Sequence, residues 1–436
     1  MKPEARAEAV LLGTYAVVLF SALWLTPLWL DEILQFAGQR HSTAAELLRW
    51  VQLNPGASPL PYLEQHCFVG WFGYSTWVVR FPAALCSVLA GVVFASVCPR
   101  FIEGRRWIAV LLFLALPIQF RYGLEARVYS QGLLMSLLTL WLFLRLKERY
   151  STSLAIAYGI AISAGLYSQP LTVFPVLAQV AFNRRAAWIP ACMAVLSYLP
   201  WYLAQHQAQT QYFSIVPRPV FFSLQQINPR LLLHEFTGGG YACAIPLLAL
   251  AAWGAGRMPK QRLLLYTLTV SLGGPILMDA LVNYFFAERQ LLFAMPALIL
   301  LAAQGAERMQ LQSRGLLAGA LVAVFLGAAA LKNFQQATVP KDDLSATADA
   351  IVTHLHSNAC VAAVPPEQIA FYLFLRPELR DRVCRSDSPT QEMLAVTNAY
   401  TTAAERHAFA ESVSARFDLR ETVKAGRSEL TTYSAR

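Results

Sequence analysis

The sequence predicts a mainly α, polytopic membrane protein of about eleven transmembrane helices, followed by a small C-terminal α/β domain. Composition, run length and a late change of character carry that expectation. Of 436 residues, 56% are hydrophobic and only 14% charged, whereas soluble domains carry roughly a quarter charged residues. The mean hydropathy is +0.43. The apolar residues fall in long runs near 9–30, 76–98, 107–120, 128–145, 152–168, 170–183, 187–204, 240–256, 263–282, 290–306 and 315–332, as bilayer-spanning helices require. After Lys332 the composition turns soluble. The expected division is therefore a membrane domain over 1–332, with outer loops 31–75 and 205–240, and a tail domain over 333–436.

The first run follows a short terminus holding Lys2, Glu4, Arg6 and Glu8 and continues to about Leu30. That is too long for the apolar core of a signal peptide, and no small-residue cleavage pattern follows. It is expected to be an uncleaved first span. The third run ends at Pro117, so it tilts or stops early. Gly13, Gly132, Gly159 and Gly165 lie within helical runs and suit close helix packing.

The net charge of +9 is not gathered like a nucleic-acid surface. It sits in short clusters between apolar runs: Arg100, Arg105 and Arg106; Arg145, Lys147 and Arg149; Arg184 and Arg185; Arg257, Lys260 and Arg262; Arg308 and Arg314. These occupy alternate loops, which makes that side cytoplasmic by the positive-inside rule. The alternation supports an odd number of spans, with the N-terminus inside and the tail outside, in a bacterial inner membrane.

Three segments matter on the outer side. In the first loop, Thr43 to Leu53 carries Leu47, Leu48 and Val51 at helical spacing, which predicts an amphipathic helix lying in the interface. The loop 205–240 is rich in Gln, Pro and aromatics and ends in Gly238-Gly239-Gly240; loops of this length often act as lids or binding loops. The tail reads as alternating elements: a helix over 344–355 capped by Asp342 or Asp343, a strand over 361–364, a helix over 368–375, a strand over 393–396 and a helix over 402–417.

None of the seven cysteines has metal-ligand spacing. Cys360 and Cys384 are able to pair if the tail lies outside the cytosol. His354 and His356 point to different helix faces, which disfavours a shared metal.

Ionisable residues near the spans gather at the outer helix ends: Asp31, Glu32, Arg80, Arg121, Glu125, Arg127, Asp279, Glu288 and Arg289. An ion-coupled transporter places carboxylates nearer the midplane. The clustering at one face fits a site at headgroup level. Each group also has a plainer role open to it. Asp31-Glu32 suits a helix cap and first-turn acid, Arg121, Glu125 and Arg127 suit an interfacial ion pair with snorkelling arginines, and Arg80 suits a membrane anchor.

Taken in order, several segments resemble the bacterial branch of the protein O-mannosyltransferase superfamily, which includes the lipid A aminoarabinose transferases, membrane glycosyltransferases of the GT-C class. Trp29-Leu30-Asp31-Glu32 matches the acidic motif of the first outer loop. Ser58-Pro59-Leu60-Pro61-Tyr62-Leu63 resembles the Pro-Pro-Leu-Tyr segment. Arg80-Phe81-Pro82-Ala83-Ala84-Leu85 and Glu125-Ala126-Arg127-Val128-Tyr129-Ser130 match two further motifs, and Glu288-Arg289-Gln290-Leu291-Leu292 through Pro296-Ala297 resembles a late element. The likeness spans about residues 10–332. It departs at Ala57 and Ser58, where a His precedes the Pro-Pro pair, and at Gln290, where a Tyr is usual.

The resemblance implies transfer of a sugar from a polyprenyl-phosphate donor to a lipid, glycan or protein acceptor outside the cytoplasm, with inversion. The polyprenyl-phosphate sugar is then a co-substrate, and the carboxylates leave a divalent metal possible but unsupported. The catalytic acids would be Asp31, as general base, and Glu32. Arg127, Arg289 and Arg80 would bind the donor phosphate, with Glu125, Tyr129 and Arg121 in support. Membrane lipids are the other expected partners, and nucleic acid is not one. The competing readings are a transporter or flippase of lipid-linked sugars and a non-catalytic membrane scaffold.

Overall fold

The apolar runs of the sequence become helices because a chain in lipid must satisfy its own backbone polar groups. In the computed structural model, which describes residues 3–37, 43–54, 57–215, 229–256, 259–282, 287–384 and 390–436, they form two compact units. The first comprises Met1–Leu25 and His41–Thr338, the second Thr26–Arg40 and Val339–Arg436. The boundary expected at 332 thus lies at 338, and residues 26–40 group with the tail rather than with the helices that flank them in sequence.

The first unit begins with α1 (Pro3–Ala22), α3 (Ala44–Leu53), α4 (Pro59–Phe72) and α5 (Thr76–Val97), while α2 (Leu30–Ala37) belongs to the second unit. It continues through α6 (Arg106–Ala115), α7 (Pro117–Leu124), α8 (Tyr129–Glu148), α9 (Thr152–Ser168), α10 (Val173–Phe182) and α11 (Arg184–Ile215). The last helices are α12 (Pro229–Glu235), α13 (Tyr241–Gly254), α14 (Pro259–Val282), α15 (Met295–Leu311) and α16 (Gly315–Thr338). Among the described residues, seven helices (α1, α5, α8, α11, α14, α15 and α16) are long and apolar enough to cross a membrane. The α6–α7 pair forms a span bent by 54° at Pro117, and α9, α10 and α13 are shorter apolar helices. These account for the runs read from sequence.

Burial separates the helices by role. The span ending in α15 is almost wholly buried, whereas α1 and α16 are largely exposed. Side chains such as Leu316, Ile189 and Leu281 are left open, a surface suited to lipid rather than water. Contact between α13 and α15 is backbone-close: a Cβ on Gly254 would lie 1.9 Å from the Leu301 carbonyl, and one on Gly305 1.8 Å from that of Leu250. That small-residue contact was not among the glycines expected to pack. Gly132 and Gly165 do pack tightly, while Gly13 faces open space.

Three sequence expectations are corrected here. The first span does not run to Leu30; α1 ends at Ala22, because Pro27 lacks an amide donor and biases residue 26 away from helix. The helix after Thr43, with a complete Thr43–Glu46 capping box, does not simply lie on the interface. Its Leu47 and Val51 are fully buried with Ala57 and Tyr62, against Trp201 of α11. The segment 205–240 is not a structureless loop at its start, since α11 runs on to Ile215; Gln205 and Gln209 donate to the carbonyls of Ala57, Asn54 and Gln52. Residues 216–228 of that segment, 38–42 and 55–56 of the first loop, and Arg257 lie outside the described residues. The Gly238–Gly240 turn has a packing role. Gly238, at φ +71, lies where a Cβ would be 2.8 Å from the Ile118 nitrogen, and that absence lets Ile118 N–H donate to the Thr237 carbonyl at the start of α7.

The basic clusters meet at one end of the first unit. Arg100 of the α5 end pairs with Glu148 of the α8 end, Lys147 lies over Phe182, Lys260 pairs with Glu103, and Arg308 donates to the Trp253 and Ala255 carbonyls.

The second unit opens with α2 (Leu30–Ala37) and continues with α17 (Leu344–His354), α18 (Ile369–Leu375) and α19 (Ala403–Ser414). These accompany a four-stranded sheet in the order β1-β2-β4-β3. Strand β1 (Ala359–Ala363) runs parallel to β2 (Glu392–Thr397). Strands β3 (Phe417–Ala425) and β4 (Ser428–Ala435) form an antiparallel hairpin, turning at Gly426 with φ +65. The hairpin was not anticipated, and the helix expected to reach Phe417 stops at Ser414. Cys360 and Cys384 are disulfide-bonded.

Candidate active site

The candidate site residues read from sequence fall on both units. In the first, α7 ends at Leu124 and the chain turns through Glu125–Val128 into α8. Arg121 Nε donates to Glu125 Oε1 at 3.1 Å, with Glu125 nearly fully buried. The rings of Tyr122 and Tyr129 lie 4.6 Å apart. Arg121 lies over the Tyr122 ring, and Arg289 lies 5.8 Å from the centre of the Tyr129 ring. A 3-10 turn over Glu288–Ala294 brings Arg289 to this place from 160 residues further along the chain than Tyr129. Arg127 follows in the same turn, its amide bonded to the Glu125 carbonyl. Arg80, 3% exposed, donates from Nη1 to the Leu23 carbonyl at 2.9 Å, which ties the end of α1 to α5. The Glu288 side chain lies outside the described residues.

This turn sits at the N-terminal end of α8, and the basic residues Arg145 and Lys147 sit at its C-terminal end. Twenty helical residues separate the two by about 30 Å, the thickness of a bilayer core. Guanidinium groups braced by aromatic faces at one such end form a forked, positively charged donor set that suits phosphate oxygens.

Residues of α4 complete this region, and sequence reading passed over them. Gln65 Nε2 donates to the Ala126 carbonyl at 3.3 Å and to the Val79 carbonyl, locking α4 against the Glu125–Arg127 turn. Its neighbour Glu64 accepts a 2.6 Å bond from Gln131 Nε2 in the first turn of α8. Burial pushes the Glu64 carboxyl up to about 7, and the Gln131 bond pulls it partly back. The available signal was that Glu64 is the sole carboxylate in the stretch from Pro59 to Phe72, whose other residues are mostly apolar.

In the second unit Asp31 and Glu32 form the first turn of α2. Glu32 is fully buried and accepts the Trp29 amide at 3.2 Å, half of a capping box. The Leu30 amide donates to Asp342 Oδ2 at 2.8 Å, a bond across 312 positions of sequence. Lys341 lies 3.6 Å from the Trp29 ring centre. Leu28 and Ile33 enter a core shared with Leu344, Ala348 and Ile351. Tyr400 donates to Asp342; its phenol is pushed up by burial and by the charges of Asp342, Asp31 and Asp343. Burial likewise raises the Asp342 carboxyl, against the lowering effect of its hydrogen bonds to Leu30 and Leu344. Asp343 stands at the cap position of α17 without capping it, and accepts from the Arg427 amide instead. Among the described residues, no three His, Cys, Asp or Glu side chains are grouped to hold a metal ion.

Residues 57–209 match the family model described as dolichyl-phosphate-mannose-protein mannosyltransferase. That stretch holds Glu64, Arg80, Arg121, Glu125, Arg127, Tyr129 and Gln131. No curated protein sequence matches the chain. Among solved structures, ArnT from Cupriavidus metallidurans in the apo state superposes with a TM-score of 0.64 at 13% identity, over 98% of both chains. The chain has an ArnT-like fold. A second ArnT structure from the same organism, bound to undecaprenyl phosphate, gives 0.62 at 15% identity over 97% of both chains. An ArnT-like fold together with the family match supports a membrane glycosyltransferase.

Proposed function

We propose that this protein transfers a glycosyl group from a polyprenyl-phosphate donor to an acceptor outside the cytoplasm, with inversion at the anomeric carbon. The observation that carries the reading is the approach of Arg121 and Arg289 to the Tyr122–Tyr129 pair, with Arg127 in the adjoining turn, a bilayer's thickness from the basic ends. Undecaprenyl phosphate, the ligand of one ArnT structure, has the chemistry such a cluster would take: an isoprenoid for the lipid-facing helices and a dianionic head for the guanidinium groups.

The steps follow from that chemistry. The Asp31 carboxylate takes the proton of the acceptor hydroxyl. The freed oxygen attacks the anomeric carbon on the side away from the phosphate, and the bond from that carbon to the phosphate oxygen breaks. Charge building on the departing phosphate is balanced by Arg127 and Arg289, with Arg80 as a third donor. A phosphate ester is already a good leaving group, so no strong acid is needed. Glu32, bonded to the Trp29 amide, holds the acidic motif in its helical turn, Glu125 holds Arg121, and Tyr129 supports Arg289.

The Cys360–Cys384 disulfide supports an oxidising location for the second unit. With the basic ends cytoplasmic, this gives a bacterial inner-membrane protein with an inner N-terminus and an outer tail. The test is binding of undecaprenyl phosphate to the purified chain. Arg127→Ala and Arg289→Ala should each weaken it by about tenfold, the effect of losing one charge-assisted contact. Unchanged affinity in both variants rejects the phosphate assignment.

A further inference from the structure

We propose that Glu64 and Gln131 form a subsite that binds adjacent hydroxyl groups of the glycosyl unit carried by the lipid-phosphate donor. The inference rests on the glycosyl-transfer reading above and deepens it, since that reading assigns residues to the phosphate and to the acceptor proton but none to the sugar.

Gln131 is 4% exposed. Its Nε2 is engaged by Glu64 at 2.6 Å, while its Oε1 is buried with no hydrogen-bond partner among the described residues. Turning the amide around would only exchange which end is left over, with a protonated Glu64 then donating to the oxygen. A buried amide with one end unsatisfied costs about 1–3 kcal/mol, so a bundle that needed only an α4–α8 contact would be better served by apolar side chains. The leftover group lies beside a carboxyl with acceptor capacity of its own. Two acceptors side by side call for two neighbouring donors, which adjacent hydroxyls on a sugar ring supply.

Placement favours the donor's sugar. Gln131 shares the first turn of α8 with Tyr129, the ring beneath Arg289. Glu64 is fixed through Gln65, which is bonded to Ala126 between Glu125 and Arg127. A lipid phosphate held by the arginines has its sugar one bond away from that phosphate.

The experiment compares two probes on the purified full chain in lipid nanodiscs: bare undecaprenyl phosphate, and undecaprenyl phosphate carrying glucose, mannose or galactose. Wild-type protein should bind at least one sugar-bearing lipid more tightly than the bare lipid. Gln131→Met, close in volume and apolar, should lower that preference by about tenfold, and Glu64→Gln by about threefold, with bare-lipid affinity within about twofold of wild type in both. Retained bare-lipid binding shows that the variants fold. The subsite is overturned if wild type shows no preference for any sugar-bearing lipid, as for a bound water only, if the preference survives both substitutions, or if both probes weaken equally, as a packing role predicts. Failure of wild type to bind the bare lipid would overturn the underlying donor reading as well, which separates the two failures.

Discussion

The two units hold charge in opposite ways. In the helical unit the conspicuous groups are guanidiniums: Arg121 and Arg289 lie over tyrosine rings, and Arg80 is bonded to a helix-end carbonyl. In the α/β unit they are carboxylates: Asp342 and Glu32 accept backbone amides, and Asp31, Asp342 and Asp343 raise the Tyr400 phenol. Aromatic faces and carbonyls stabilise cations, and N–H groups at helix starts stabilise anions. Phosphate recognition and proton abstraction are thus proposed for residues of different units, and each proposal has its own substitution to test it.

The largest effect is expected from Asp31→Asn. Loss of a general base lowers turnover by about 10²–10⁴-fold, while binding of undecaprenyl phosphate, assigned to the other unit, should hold. Turnover and lipid affinity measured on one preparation decide the matter. Wild-type turnover rejects the base, and a parallel loss of lipid binding collapses the division between the units.

Removing the disulfide strikes the α/β unit alone. Cys360 and Cys384 are 24 positions apart, a loop for which cross-linking contributes about 3 kcal/mol by the chain-entropy account. The double serine variant should lower the melting of that unit and leave lipid binding intact. Thiol labelling of the chain in intact cells sharpens the comparison further. Protected cysteines at 360 and 384 are expected in an oxidising compartment, and free ones would contradict the outer location.

How much of this was legible in sequence depended on distance along the chain. The apolar runs and the basic alternation were legible because span length and loop charge are local. The Arg121–Glu125 pair was legible as an interfacial ion pair, because the two groups stand only four residues apart. Placement of Trp29-Leu30-Asp31-Glu32 was not. The bond that fixes it comes from Asp342, and nothing local to residue 30 announces a partner 312 positions away. The β3–β4 hairpin was missed for another reason: most of β3 is exposed beyond Phe417, so the alternation that marks a half-buried strand is absent.

Glu64 offers a pH test confined to the helical unit. Its folded carboxyl titrates near 7 against an ordinary value of 4.5. Between those values the folded state holds a proton that the unfolded chain has released, so stability falls as pH rises through that window and levels off above it. The full span is worth roughly 3 kcal/mol at most. Melting of the first unit should fall from pH 4.5 to 7, and Glu64→Gln should flatten the slope. An unchanged slope would place the titrating group elsewhere.

The smallest effect concerns how the α/β unit presents its acid. Asp342→Ala removes the acceptor for the Leu30 amide, a loss of about 1 kcal/mol for a helix cap. If Asp342 does no more than stabilise the fold, melting falls and the turnover of folded protein is unchanged. If it positions Asp31, turnover drops by about fivefold without a change in donor affinity, and Asp342→Asn, which keeps an oxygen for the Leu30 amide, restores most of it. The split between turnover and affinity is the informative readout, because the Asp342 bond reaches the first turn of α2, where Asp31 sits.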